Sequence, residues 1–380
     1  MKKNFFLAAA LSLLMSAGFV ACDDDDPVVD LPTDEPTEEP DEPEEPADEP
    51  ETVTYYYVLN SGQNGSNNAS LSLYNTATKE VVSDIFMDKN GRGLGDTAND
   101  MLRYGDKIYI AVYGSEAIEV TDMDGNSLKQ IQSVTGDPLL PRYLTSYEGK
   151  VYASLYDGFV ARLDTASLEI EATVAVGRNP EQLVVSNGKL YVANSGGMDY
   201  NTPLGYDKTV SVIDLASFTE TEKLEVVINP CNMVADAQGD VYLVSMGNYG
   251  DVPNTLQRID TQNDEVETVS ATNATEMALF GDDIFMMYSQ YDANWNQTIS
   301  YIRYNALSEQ VVTDAWITEP IAKPYKIGAD LATETLFVTE SDYTNNGDVY
   351  SFSSDGTLKE KFEVGLNPIK VIPFSGTENQ

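Results

Sequence analysis

The chain has 380 residues, with 22 Lys and Arg against 62 Asp and Glu and no His, for a formal net charge of −40. Nucleic acid and anionic membrane faces need clustered cations, so neither is an expected direct partner. Without His the commonest general base and metal ligand are missing and Ser-His-Asp catalysis is excluded; two Cys give no disulfide framework and no thiolate zinc site.

In chain order, Lys2 and Lys3 precede an apolar run from Phe5 to Met15 that is too short to be a comfortable membrane span. It ends in Gly18-Phe19-Val20-Ala21-Cys22. A Cys directly after a small residue resembles the lipobox of bacterial lipoproteins. That resemblance implies a signal peptide over 1–21, cleavage before Cys22, a diacylglycerol on its sulfur and an acylated new N-terminus. Asp23 to Asp26 follow at once and resemble the surface-export signal of Bacteroidota lipoproteins. Residues 23–53 hold sixteen Asp and Glu, seven Pro and no Lys or Arg. Such a segment cannot bury enough apolar surface to offset its ordering entropy. Residues 22–53 are therefore read as a lipidated Cys and an acidic, Pro-rich tether, extended at up to ~3 Å per residue. Without the signal and the tether, 20 basic and 46 acidic residues remain, a charge of about −26.

Residues 54–380 repeat with a period of roughly 40–50, the range of propeller blades. The clearest unit runs from Gly177-Arg178-Asn179-Pro180 through Leu190-Tyr191-Val192-Ala193-Asn194 to Val210-Ser211-Val212-Ile213-Asp214. The Tyr191 position recurs as Tyr57, Tyr109, Tyr152, Tyr242, Phe285 and Phe337, seven in all. Each unit holds four short β-rich runs, A to D, separated by Gly, Asn or Asp turns. The first unit lacks an A strand, whereas Gly365 to Phe374 is an A strand with no unit after it. The expected fold is an all-β, seven-bladed β-propeller of four-stranded antiparallel blades, closed by the C-terminal strand completing blade one.

In a propeller the B–C and D–A connections leave by one face. The B–C loops are the long ones: Ser61 to Ala69, Asn194 to Lys208, Met246 to Asn254, Ser289 to Gln297 and Glu340 to Gly347. Long loops contribute little stability and tend to persist for a use. They carry Asn194, Tyr200, Tyr206, Tyr249, Tyr291, Trp295 and Tyr343, and rings with amides suit a large, polar, partly flat ligand. Tyr113 and Tyr156 end the B strands of the two blades with short B–C loops and could wall the same mouth. The D–A connections hold scarce cations, Arg92, Arg142, Arg178 and Lys323, which are candidate partners for an anionic group. Cys231 has no His to activate it and is read as an inert buried thiol. The run Asp122-Met123-Asp124-Gly125-Asn126 resembles a calcium loop slightly but lacks a distal Glu and fits a plain turn. No metal site and no catalytic residue is assigned.

The Gly-x-x-Pro and Tyr-Val-Ala-Asn elements at 177–194 resemble YVTN-type surface propellers. With the lipobox, acidic leader, tether and elaborated loops, the chain resembles the BtuG family of surface cobalamin-binding lipoproteins. The resemblance implies capture of cobalamin as a transported ligand at the outer membrane, facing the exterior, with delivery to a BtuB-like TonB-dependent transporter. Binding would then rest on shape, amide hydrogen bonds and the arginines, because no imidazole is present to ligate cobalt. Two rivals stand beside it: a glycan-binding surface lipoprotein of a polysaccharide-uptake system, and a propeller lyase or hydrolase using a carboxylate pair.

Overall fold

The computed structural model describes residues 52–133, 136–291, 294 and 297–377. The signal, Cys22, most of the tether and Trp295 lie outside the described residues. The described residues form seven four-stranded antiparallel sheets, arranged as a seven-bladed β-propeller. Among the described residues helix is almost absent; a short one, Ile85–Asn90, sits in the D–A connection after blade 1, capped by Asp84 and ended by Gly91 in the left-handed region. No helix among the described residues is long and apolar enough to cross a membrane.

The inner A strands are Pro368–Thr377, Ala98–Tyr104, Pro141–Tyr147, Pro180–Ser186, Pro230–Ala235, Glu276–Phe280 and Pro324–Asp330, for blades 1 to 7. Each packs against the next around the axis, and Pro368–Thr377 touches both Ala98–Tyr104 and Pro324–Asp330. The ring is therefore closed by the C-terminal strand, which pairs antiparallel with Thr52–Asn60 from Thr52–Thr377 to Asn60–Pro368. Blade 1 begins at Thr52, two residues earlier than its sequence pattern indicates.

Propeller blades are covered on both faces, so their middle strands need apolar residues at successive positions rather than alternate ones. The blade 4 B strand, Lys189–Asn194, is buried at five consecutive positions, while the outer D strand of blade 3, Glu169–Ala175, alternates exposed and half-buried. The core lies between blades. Tyr191, Val210 and Val212 of blade 4 pack with Met233, Val241 and Ile259 of blade 5. At the closing interface Tyr74 stacks on Phe362 at 3.9 Å and Tyr56 meets Phe337 edge-on at 5.1 Å. Burying each such side chain stabilises by about 1.5–3 kcal/mol.

The recurring tyrosine has a second role. Its ring fills the interface, and at three blades its hydroxyl reaches the C–D turn of the following blade: Tyr57 donates to Met123 O at 2.8 Å, Tyr191 to Asp264 Oδ1 at 3.0 Å and Tyr242 to Ala306 O at 3.5 Å. The C–D turns of blades 1 to 6 are organised by the Asp or Asn that ends the C strand. Asp122 Oδ1 accepts from the Asp124 and Asn126 amides and its Oδ2 from the Asn126 side chain, so this carboxylate is engaged in its own turn.

Candidate functional site

The A strands of blades 1, 2, 4 and 5 enter the axis from the elaborated face through a left-handed residue, Asn367, Thr97, Asn179 and Asn229. Asn179, Asn229 and Asn367 precede Pro180, Pro230 and Pro368 with φ of 45°, 61° and 57°, a left-handed conformation that Asn tolerates better than most residues. Their carbonyls accept from Ser195, Met246 and Ser61 at 3.2, 2.8 and 2.9 Å. Immediately afterwards the register slips in six of the seven A strands: between Ala98 and Asp100, Pro141 and Leu144, Pro180 and Leu183, Pro230 and Asn232, Pro324 and Ile327, and Pro368 and Lys370. Such bulges re-aim side chains. Here they bring the residues just after the turn into the axial mouth.

The floor of that mouth is charged but balanced. Arg142 Nε lies 2.7 Å from Glu181 Oε2, and its Nη1 donates to Asn99 Oδ1 at 2.8 Å. Tyr156 donates its hydroxyl to Glu181 Oε1 at 2.7 Å, and the Arg142 guanidinium lies 5.0 Å from the Tyr156 ring centre. Around the ring, Lys326 pairs with Glu276, which also accepts from Asn232 Nδ2 at 3.4 Å. Lys370 Nζ lies 3.3 Å from Asp100 Oδ1, whose other oxygen accepts from the Leu144 amide. Burial is the largest influence and opposes the charges on Arg142 and Lys326, but Glu181 and Glu276 together with the neighbouring tyrosines hold both cations firmly protonated. Burial, aided by Glu181, drives the Tyr156 hydroxyl upward, and burial pushes Tyr143 to about 12. Burial and then Glu181 raise the Cys231 thiol, which donates to Asn229 O at 3.3 Å. Below the floor a cavity of about 190 Å³ is lined by the inner strands of blades 4 to 7 and 1.

Above this floor the loop tyrosines gather in groups. Tyr113 and Tyr156 meet edge-on at 5.5 Å. Tyr200 and Tyr206 stack at 6.4 Å, and Tyr325 meets Tyr343 edge-on at 5.3 Å. Desolvation raises the Tyr249 hydroxyl, with Cys231, Tyr206 and Glu181 adding and a hydrogen bond with Asn229 opposing. Desolvation likewise raises Tyr343, with Tyr325 and Tyr291 adding and Lys326 opposing. Tyr200, Tyr249, Tyr291 and Tyr343 are nonetheless 59–73% exposed, large rings presented to solvent around one opening.

Several residues expected at the site stand elsewhere or are already engaged. Arg92 lies at the outer strands of blade 2, where it pairs with buried Glu119 at 2.9 Å, donates to Ser127 Oγ and covers the Phe86 ring. Arg178 ties down the long blade 4 loop through Asp199, the Gly205 carbonyl and Asp207. Asn194 is fully buried; its Nδ2 donates to Thr209 and Ser211 hydroxyls and its Oδ1 accepts from the Gly177 amide. It is a strut inside blade 4, not a surface contact. Lys323 stays exposed at the rim, where its amide donates to Glu340. Trp295 is outside the described residues. Sequence reasoning passed over Glu181, Glu276, Lys326, Lys370, Asp100, Tyr143 and Tyr325. Their shared signal is position: all lie one to three residues after the turn that opens an A strand.

Solved structures of similar fold include hydrazine synthase of Kuenenia stuttgartiensis, at 12% identity with a TM-score of 0.55 over 70% of this chain and 85% of that one. A quinonprotein alcohol dehydrogenase-like protein of Bacteroides thetaiotaomicron VPI-5482 gives 15% and 0.59, over 84% and 77%. AztD of Citrobacter koseri gives 9% and 0.51, over 86% and 99%. At these identities the likeness is one of fold. No curated protein matches the chain in sequence. Residues 55–312 match the family model described as a domain of unknown function, DUF5074, and the chain belongs to that family.

Proposed function

We propose that this protein is a lipid-anchored capture protein of the outer cell surface, whose axial mouth takes cobalamin and passes it to a TonB-dependent transporter. The observation that carries the reading is the set of exposed tyrosines gathered around one mouth over a charge-balanced floor. Cobalamin presents a broad ring system edged with amides, and phenols with amide-rich loops supply both flat contact and hydrogen bonds. The arginines enter differently than their scarcity suggests: Arg92, Arg142 and Arg178 each face a carboxylate, so recognition rests on shape, phenols and amides rather than on a bound anion. Glu181, Glu276 and Asp100 each face a cation, which supports binding over carboxylate-pair hydrolysis.

The same pairing favours a second reading, a neutral glycan as cargo, because tyrosine platforms stack on sugars equally well. Calorimetry on the chain freed of signal and lipid, with cyanocobalamin and a panel of neutral oligosaccharides, separates the two. Heat with micromolar cyanocobalamin is expected, and Tyr249→Ala with Tyr343→Ala should cost about 2 kcal/mol or more of binding if these rings are anchors. Silence with cyanocobalamin and heat with a glycan would transfer the mouth to the second reading.

A further inference from the structure

On the same face as the mouth, between blades 3 and 4, lies an open cleft of about 300 Å³. Its chemistry comes from Tyr156, Asp157, Phe159, Arg178, Asn179 and Asp199. Phe159 opens its C strand at the position that Thr209 and Thr255 hold in blades 4 and 5, so a large aromatic ring stands where those blades carry a small polar residue, and it is 39% exposed. Asp157 has no ion-pair partner among the described residues. Arg178 and Asp199 form a donor and an acceptor fixed side by side, and Asn179 is held by donation to the Tyr156 carbonyl at 3.1 Å and by the Met198 amide on its oxygen.

We propose that this cleft binds a sugar ring. A sugar has an apolar C–H face and an edge of hydroxyls that both donate and accept. Exposed Phe159 supplies a flat partner for the face. Asp157 accepts from the edge, and the Arg178–Asp199 pair offers donor and acceptor at once. Other small ligands fit less well: a cation meets Arg178, an anion meets Asp157, and an aliphatic chain meets polar walls. The volume is at the lower end of the ~300–1,000 Å³ typical of small-molecule sites, which suits one ring and not a corrin. Two sources share this chemistry, the ribose in the nucleotide loop of cobalamin and a pyranose of a glycan. The inference rests on the capture reading for the source of the ring, though not for the cleft itself.

The test compares wild type with Phe159→Ala and with Asp157→Asn, both at exposed positions, with near-UV circular dichroism to verify folding. The probes are cyanocobalamin, dicyanocobinamide (which lacks the ribose) and a maltooligosaccharide by calorimetry, plus methyl ribofuranoside and methyl glucopyranoside by NMR. If the ring is ribose, Phe159→Ala weakens cyanocobalamin roughly three- to tenfold and leaves dicyanocobinamide unchanged. If it is a pyranose, the oligosaccharide alone weakens by a similar factor. Should neither corrinoid bind while a methyl glycoside still perturbs the Phe159 and Tyr156 resonances, the cleft stands and the cobalamin reading of the mouth falls. Equal affinity of both variants for every sugar-bearing probe, or no perturbation of those resonances by any glycoside, overturns the proposal.

Discussion

The Gly-x-x-Pro and Tyr-Val-Ala-Asn elements occur together for a packing reason. Asn194 ends its B strand and turns inward, crossing to two C-strand hydroxyls and to the Gly177 amide. A Cβ on Gly177 would lie 2.3 Å from Asn194 Cγ, so the glycine makes room for the amide. The same pair is built in blade 1, where Asn60 donates to Ser70 and Ser72 and accepts from Gly365, whose Cβ would meet Asn60 Cγ at 2.7 Å. Gly177→Ala should therefore destabilise by about 1–3 kcal/mol through overpacking, and Asn194→Ala by about 1–3 kcal/mol through unmade hydrogen bonds. The double variant should lose at least ~0.5 kcal/mol less than the two losses combined, because removing the amide relieves the collision. Urea denaturation of the four proteins measures this, and strict additivity would contradict the account. Ligand affinity of Asn194→Ala should be unchanged once folding is matched, since the side chain never reaches the mouth. A motif asparagine beside an elaborated loop looks like a binding residue in sequence, and only its hydrogen bonds show it to be a strut. The arginines were opaque for a related reason: Arg142 meets Glu181 across a blade boundary, 39 residues away, and no local pattern announces such a partner.

At the scale of elements, the blade is the unit that sequence makes visible, because turns and aromatic positions recur with the strands. Closure was legible too, from a first unit short of one strand and a last strand without a unit. What stayed hidden was the slip at the start of six A strands, since a bulge leaves no residue signature beyond the preceding turn. The closing strand yields a direct prediction. Ending the chain at Leu366 would strip Thr52–Asn60 of one of its two partner strands along its whole length and uncover Tyr55 and Tyr57, which are now buried. An unpaired, apolar strand edge templates association. The truncated chain should migrate as oligomers or aggregates in size-exclusion chromatography and lose near-UV circular dichroism. A monomer with native near-UV signal would show that six complete blades and a partial one are self-sufficient.

At the scale of the whole molecule, the fold links blades through tyrosines, and this gives the stability an alkaline limit. Tyr57, Tyr109, Tyr191 and Tyr242 are at most 1% exposed, and burial raises all four hydroxyls from the ordinary 10, Tyr109 to about 12. A phenol whose folded pKa exceeds its unfolded one keeps its proton in the native state while the unfolded chain loses it. The stability these groups contribute is therefore complete below pH ~10 and is lost as pH rises from there toward the folded values. Each contributes a slope of up to about 1.4 kcal/mol per pH unit in that window. The four act together because each sits at a different blade interface of one closed ring. Urea midpoints should stay level from pH 8 to 9.5 and fall steeply by pH 11.5. Tyrosinate absorbance from these four residues should appear with loss of near-UV circular dichroism rather than ahead of it. If all 23 tyrosines titrate near pH 10 with the fold intact, the buried hydroxyls are reachable by solvent and the interblade tyrosines do not couple the ring to pH.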